Sequence, residues 1–491
     1  MSTVRRRAHK PLKHVGDLTP KQFMASLVRD DRFKEAALAA PKPDSHKSRS
    51  QGGRVAEYPP AVFLAIGVLS VSAGGTRAAV RALADMWDSL RKPLNEIDPG
   101  HVGLKRHSGP PSRDQYNRYY NKYLRDDDSY AALHEVLVEG SAQTATGIGY
   151  FAKTGTTADP NVSDVAFGDG CVFKARMGLE RKGLKHLDEG EWGDPTTGEI
   201  TERPWDPDAG VFTQGDNTRP YGLKYSIIGA YNGHPGERII LNFGQLGVVG
   251  NDNTQDHSEA AKSVQLLTEV QRHAPGVAGL VYDRALQGRH HTALYQQGMF
   301  GVSKVHRTKD KLPKSAVLGP HDLKRDGNVV GTVDVVAFDG APYLYATAAG
   351  KRHLVALETT KATKCKNRST GYRWYRTCKV PCDPRIPVAL HGSEFRLRYD
   401  NTNEDYKRGF NRAENLRFHP EGTDPFERLI KLRAPSESLN ALIKNHLVPH
   451  RRAPAIGHSG MRVHLLYQTL YHNHRATIAH GLRHGKQPLI T

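Results

Sequence analysis

Val277-Ala278-Gly279-Leu280-Val281-Tyr282-Asp283-Arg284-Ala285-Leu286-Gln287-Gly288 is a short apolar run that ends abruptly on an acid. Such a run reads as a buried strand, and its C-terminal end presents Asp283 at the sheet edge where open α/β sheets bind their ligands. Taken alone, an Asp in that position is also an ordinary opener of a strand-to-helix turn. Its neighbours along the chain decide between the two readings.

Upstream, residues 256–272 have helical apolar spacing, with Ala260, Val264, Leu267 and Val270 on one face. Before that helix, two strands, Tyr225 to Ala230 and Arg238 to Phe243, flank Asn232-Gly233, a hairpin signal. Earlier still, Val165, Phe167, Cys171 and Phe173 alternate with small or polar residues, and Asp169 sits inside that strand between two glycines. An Asp inside a strand is disfavoured and calls for a reason. Asp164, five residues earlier, is the rival for the same role, although on a regular strand it faces the other side. Residues 178–220 read as a long polar loop. Downstream of Asp283, a helix over His290 to Gln297 leads to a strand over Gly301 to His306.

This order, strand with Asp, hairpin, helix, strand with Asp, helix, strand, is that of a ribonuclease-H-like α/β fold, whose first and fourth strands bring two carboxylates together. A site of that kind requires one further acid from a late helix. Residues 308–425 read as a β-rich insertion before it, with a hairpin around Asp339-Gly340. From Lys351 to Lys379 there are nine Lys or Arg and one acid, interleaved with Tyr372, Trp374 and Tyr375. Cations beside flat rings are what a strand-binding surface uses for phosphates and bases, and Arg373 and Trp374 are its candidates; a solvated β edge and core packing of Trp374 are the bland alternatives.

The late helix is predicted at Arg433-Ala434-Pro435-Ser436-Glu437-Ser438-Leu439-Asn440-Ala441-Leu442-Ile443-Lys444, with Pro435 at its first position. Glu437 and Lys444 are seven residues apart, about 20° from full register, and share a face. No Asp or Glu follows Glu437, whereas Lys444, Arg451, Arg452, Arg462, Arg475, Arg483 and Lys486 do.

Gly168-Asp169-Gly170, Tyr282-Asp283-Arg284, and Arg433, three residues, Glu437, six residues, Lys444 together resemble the DDE transposases of bacterial insertion sequences. That family's terminal signature opens on a Tyr that contacts a DNA phosphate, and here its position holds Ile430. The resemblance covers about residues 160–480. It implies a metal-dependent enzyme in which Asp169, Asp283 and Glu437 hold Mg²⁺, with Mn²⁺ as a substitute, and in which Arg284, Arg433 and Lys444 hold phosphates. The partners implied are double-stranded DNA, both element ends and target, and a second copy of the chain. Three carboxylates are also the hard oxygen ligands that two-metal phosphodiester chemistry needs. A nuclease of the same fold that cuts without joining, and a non-enzymatic DNA-binding remnant, are the rival readings.

The remaining sequence is compatible with this. Lys and Arg number 70 against 51 Asp and Glu, a formal charge of +19, which suits a polyanionic partner. Residues 1–57 read as a basic arm with Arg5, Arg6 and Arg7, a helix from the Thr19/Gln22 capping box to about Ala40, and a linker. Residues 58–150 read as a helical DNA-binding region with a tight turn at Ser70 to Thr76 and a later helix capped at Ser112; a plain helical bundle fits equally. The ribonuclease-H-like core then occupies 151–307 and 426–491. The longest apolar run, Pro59 to Ala73, is shorter than the roughly 20 residues that span a bilayer, so no membrane helix is expected. Four cysteines form no disulfide framework, which favours a reducing cytoplasm, and the gaps between Cys365, Cys378 and Cys382 favour free thiols over zinc.

Overall fold

The computed structural model describes residues 12–43, 58–98, 109–176, 185–187, 191–194, 196–202, 206–213, 218–247, 258–305, 315–367, 371–447 and 452–488. The basic arm at Arg5 to Arg7, most of the 41–57 linker and Arg451 lie outside these residues.

The architecture is mixed α/β, organised on strand β1 (Val165–Lys174). A small antiparallel sheet is formed by β2 (Lys185–His186), β3 (Glu191–Gly193) and β4 (Ile200–Glu202), where the sequence reads as loop. The principal sheet adds β5 (Gly210–Val211), β6 (Tyr221–Ala230), β7 (Ile239–Leu246), β8 (Gly279–Val281) and β9 (Phe300–Val302). Its order is β5-β6-β1-β8-β9, with β7 on the outer side of β6. β6 and β7 join antiparallel across the Asn232-Gly233 turn, Gly233 having the positive φ that such a turn asks of glycine. β1 lies antiparallel to β6 and parallel to β8, which in turn lies parallel to β9.

One feature of register places the site. β8 pairs with β1 only at Val165, Ala166 and Phe167, while β6 continues along β1 to Lys174. Beyond Phe167 no strand among the described residues continues the β8 side of β1, where the next pairing is the single bridge from Lys174 to Arg452, and Asp169 stands in the gap.

Helices flank the sheet. In the N-terminal region α1 (Pro20–Leu27) and α2 (Asp31–Ala39) replace the single helix expected over 19–40. Asp30 interrupts it by capping α2, its carboxylate accepting from Arg32 N, while the Thr19/Gln22 box opens α1 as the sequence predicts. α3 (Pro60–Ala73) and α4 (Thr76–Glu96) bend by 114° at Gly74-Gly75. α5 (Arg113–Tyr119) opens on the expected Ser112/Gln115 capping box. α6 (Asp127–Gly147) has no counterpart in the sequence reading, because its buried face is built largely of small residues, Gly140, Ser141, Ala142, Thr144 and Ala145. Next in order come α7 (Glu259–His273) and α8 (Gly288–Gln296).

The insertion is a seven-stranded antiparallel sheet of β10 (Ser315–Arg325), β11 (Asn328–Phe338), β12 (Ala341–Ala348), β13 (Lys351–Ala356), β14 (Glu358–Asn367), β15 (Gly371–Lys379) and β16 (Glu394–Arg398), in the order β13-β12-β11-β10-β16-β15-β14. Asp339 and Gly340 both take positive φ, as a tight two-residue hairpin requires. Short helices α9 (Asn403–Lys407), α10 (Arg412–Asn415) and α11 (Asp424–Leu429) lead through one 3-10 turn to α12 (Arg433–Asn445), and α13 (Gly457–Arg483) ends the fold. α12 begins two residues before the expected Pro435, which is tolerated because the first four N–H groups of a helix have no intrahelical partner.

α13 joins the two ends of the chain. Asn473 accepts from Ile240 N at 2.9 Å and donates to Ile240 O at 2.8 Å, so α13 satisfies backbone groups of β7. On another side, a Cβ at Gly67 of α3 would lie 2.2 Å from the Tyr467 ring, so the glycine is what lets α3 and α13 touch. The N-terminal helices and the principal sheet thus share one apolar core. No single helix among the described residues is long and apolar enough to cross a membrane, and α3 is buried along nearly its whole length.

Candidate active site

Asp169, Asp283 and Glu437 line one open cleft of 480 Å³, together with Gly170, Val172, Phe212, Thr213, Lys224, Glu259, Asn440, Ala441, Lys444 and Asn445. Each acid arrives by a different local device. Asp169 is carried by the middle of β1 at the point where β8 has run out. Asp283 lies just past the end of β8, where Tyr282 N still bonds to Val302 O at 3.0 Å. One oxygen of Asp283 accepts from Ala285 N at 2.8 Å, so the turn-opening role of an Asp and a place in the cleft coexist in one side chain. Glu437 is exposed on the first turns of α12, with Arg433 at 3.6 Å on the same helix.

The glycines around Asp169 now have a reason. A Cβ at Gly168 would lie 2.9 Å from the Tyr282 ring and from Ile228, and a Cβ at Gly170 would lie 2.3 Å from the Glu259 carboxylate. β1 must be bare on that face so that a tyrosine and an acid can stand against it. On the opposite face Asn440 Nδ2 donates to Asp169 Oδ2 at 2.9 Å.

Burial pushes the Asp169 carboxyl up to about 6, helped by the negative charges of Glu259 and Asp283 and opposed by Arg433 and the Gly170 amide. Burial likewise pushes the neighbouring Cys171 thiol up to about 12, against the pull of Lys444. The carboxylates of Glu259 and Asp283 thus add to the cost of ionising Asp169. A divalent cation is the charge that relieves this, and the donors, all carboxylate oxygens, fit Mg²⁺ or Mn²⁺ in kind. Among the described residues, no three His, Cys, Asp or Glu side chains stand close enough to hold a metal ion as they are.

Among the lining residues that the sequence does not single out, three bond or pair beside the acids. Glu259 opens α7, and its carboxylate accepts from the Tyr282 hydroxyl at 2.6 Å and lies 2.5 Å from Lys224 Nζ. Asn440 and Lys224 are the others. The one available signal was the Gly-Asp-Gly triplet, which called for neighbours close to β1 without saying which.

Arg284 is exposed directly after Asp283, and Lys444 lines the cleft on α12. Arg452 donates to Ala175 O at 3.0 Å and so lies at the end of β1. Trp374 is 1% exposed and donates from Nε1 to Tyr295 O at 2.8 Å, with the Phe418 ring 4.9 Å away. That burial rules out Trp374 as a base-stacking residue and bears out the alternative of core packing: its apolar surface anchors the insertion to α8. Arg373, its neighbour on the opposite face of β15, is half-buried, and its Nε has no hydrogen-bond partner among the described residues. The rival Asp164 is buried away from the cleft lining, its carboxylate accepting from Lys153 N at 2.9 Å and Gly155 N at 3.0 Å. Cys365 and Cys382 are exposed and Cys378 is buried, all as free thiols, while His391 Nε2 lies 3.0 Å from the carbonyls of both Asp383 and Ile386.

Neither the models of known protein families nor the curated proteins give a match to this chain.

Proposed function

We propose that this chain is a DDE-type DNA transposase with a ribonuclease-H-like catalytic core. The observation that carries the reading is that Asp169, Asp283 and Glu437, drawn from three distant parts of the chain, line one cleft at the exposed edge of β1. The strand order β7-β6-β1-β8-β9, antiparallel on one side of β1 and parallel on the other, supports the core assignment.

In the proposed reaction, water attacks a phosphodiester at the element's end and the bond to the 3′-oxygen breaks, leaving a 3′-hydroxyl and a 5′-phosphate. That hydroxyl then attacks a target phosphodiester, forming a new phosphodiester and releasing a target 3′-hydroxyl. Mg²⁺ held by Asp169, Asp283 and Glu437 would supply charge neutralisation at phosphorus and a more acidic nucleophile. Asn440 orients the Asp169 carboxylate, and Lys444 and Arg433 hold the phosphate as charge-assisted donors. Arg284, exposed beside Asp283, contacts the backbone further out. A second copy of the chain would hold the second element end.

The test is cleavage and strand transfer on DNA carrying the sequences that flank the gene, with Mg²⁺ or Mn²⁺, for wild type and Asp283→Asn. Joined products that vanish in the variant are expected. Nicking without joining would replace the transposase by a nuclease of the same fold, and binding with neither would leave a DNA-binding remnant.

A further inference from the structure

We infer that Lys224 is a substrate-positioning residue that holds a DNA phosphate on the wall of the cleft opposite α12. The inference rests on the proposed function and adds a residue to it. Lys224 pairs across the sheet with Val172 of β1, on the face that also carries Gly170, and so projects on the α7 side of the sheet. Its Nζ lies 2.5 Å from Glu259 Oε2, and the side chain is 25% exposed. The ammonium stands 5.6 Å from the Phe212 ring, which also lines the cleft.

Glu259 is the anchor of this arrangement. The Tyr282 hydroxyl holds its Oε1 and Lys224 holds its Oε2, so the carboxylate is committed on both oxygens. An ammonium has three donors, and the ion pair takes one. A lysine pinned in this way has already lost much of its rotamer freedom, so a phosphate meets it at a smaller entropic cost than it would meet a free surface lysine.

The charge balance of the cleft makes that donor necessary. Four of its lining residues are acids, Asp169, Glu259, Asp283 and Glu437, and two are lysines, Lys224 and Lys444. Lys444 belongs to α12 and Lys224 to β6, so a strand lying between them meets a cation on each side. Without Lys224 an entering phosphate faces the acids with Lys444 alone among the lining residues.

The experiment is the salt dependence of binding to a fluorescent duplex carrying the gene's flanking DNA, with Ca²⁺ in place of Mg²⁺, alongside steady-state cleavage in Mg²⁺. Lys224→Gln should reduce the slope of log affinity against log salt by about 0.9, the loss of one phosphate contact, and raise KM while kcat changes little. Lys224→Arg should keep the wild-type slope, and unchanged melting temperatures would show that both variants fold. A Lys224→Gln slope and KM equal to wild type would overturn the role of Lys224 and leave the proposed function standing. Failure of the wild type to bind or cut the DNA would remove both.

Discussion

Asn440 Nδ2 donates to Asp169 Oδ2 at 2.9 Å, so the helix that carries Glu437 is tied by a side chain to the strand that carries the first acid. The bond joins α12 to β1, and it favours the ionised form of a carboxyl that burial and two nearby acids push up.

Asn440→Ala removes that donor. Hydrogen bonds to charged groups are worth about 1.5–3 kcal/mol, so a loss of that order is expected where Asp169 is ionised, near pH 8, with a smaller loss near pH 5. The Asp169 carboxyl should also titrate above its wild-type value. Urea denaturation at both pH values checks this, and equal losses at the two would show that Asn440 acts only through packing.

The titration of Asp169 itself has a definite sign. Its folded value of about 6 lies above the ordinary 3.8, so its contribution to stability is fully present below about 3.8 and is lost as pH rises through about 6. Asp169→Asn should therefore be more stable than metal-free wild type above pH 6, by up to about 3 kcal/mol, and nearly equal to it near pH 4. Adding Mg²⁺ should raise the melting temperature of wild type and leave that of Asp169→Asn nearly unchanged. A stability difference independent of pH would contradict the burial and charge argument.

Trp374 separates core from surface roles. Truncating a buried Trp to Ala costs about 3–5 kcal/mol, so Trp374→Ala should lose stability on that scale, and Trp374→Phe should lose less while giving up the bond to Tyr295 O. DNA affinity of folded Trp374→Phe should match wild type. A base-stacking residue would behave in the opposite way, keeping stability and losing about 1–3 kcal/mol of binding.

Much of this molecule is legible in its sequence because local rules act locally. The alternation around Asp169 specifies a strand, the Thr19/Gln22 and Ser112/Gln115 pairs specify helix starts, and Asp339-Gly340 specifies a hairpin turn. Where local rules are balanced the structure departs from the sequence pattern: Asp30 splits a helix by capping its second half, α12 starts ahead of Pro435, and α6 has no clear apolar period because small residues line its buried face.

By itself, then, the sequence determined the order of the main strands and helices around Asp169 and Asp283 and the candidate acids, since strand and helix periods and the Arg433-Glu437-Lys444 spacing are properties of neighbouring residues. Only the tertiary structure decided which side chains meet. Ending β8 beside Phe167 exposes the edge at Asp169, and bare glycines admit Tyr282 and Glu259 to β1. Burial assigns Trp374 to the core and commits Asp164 to the backbone amides of Lys153 and Gly155. Contacts between residues hundreds of positions apart depend on how sheets and helices stack, and no short-range pattern in the chain encodes that stacking.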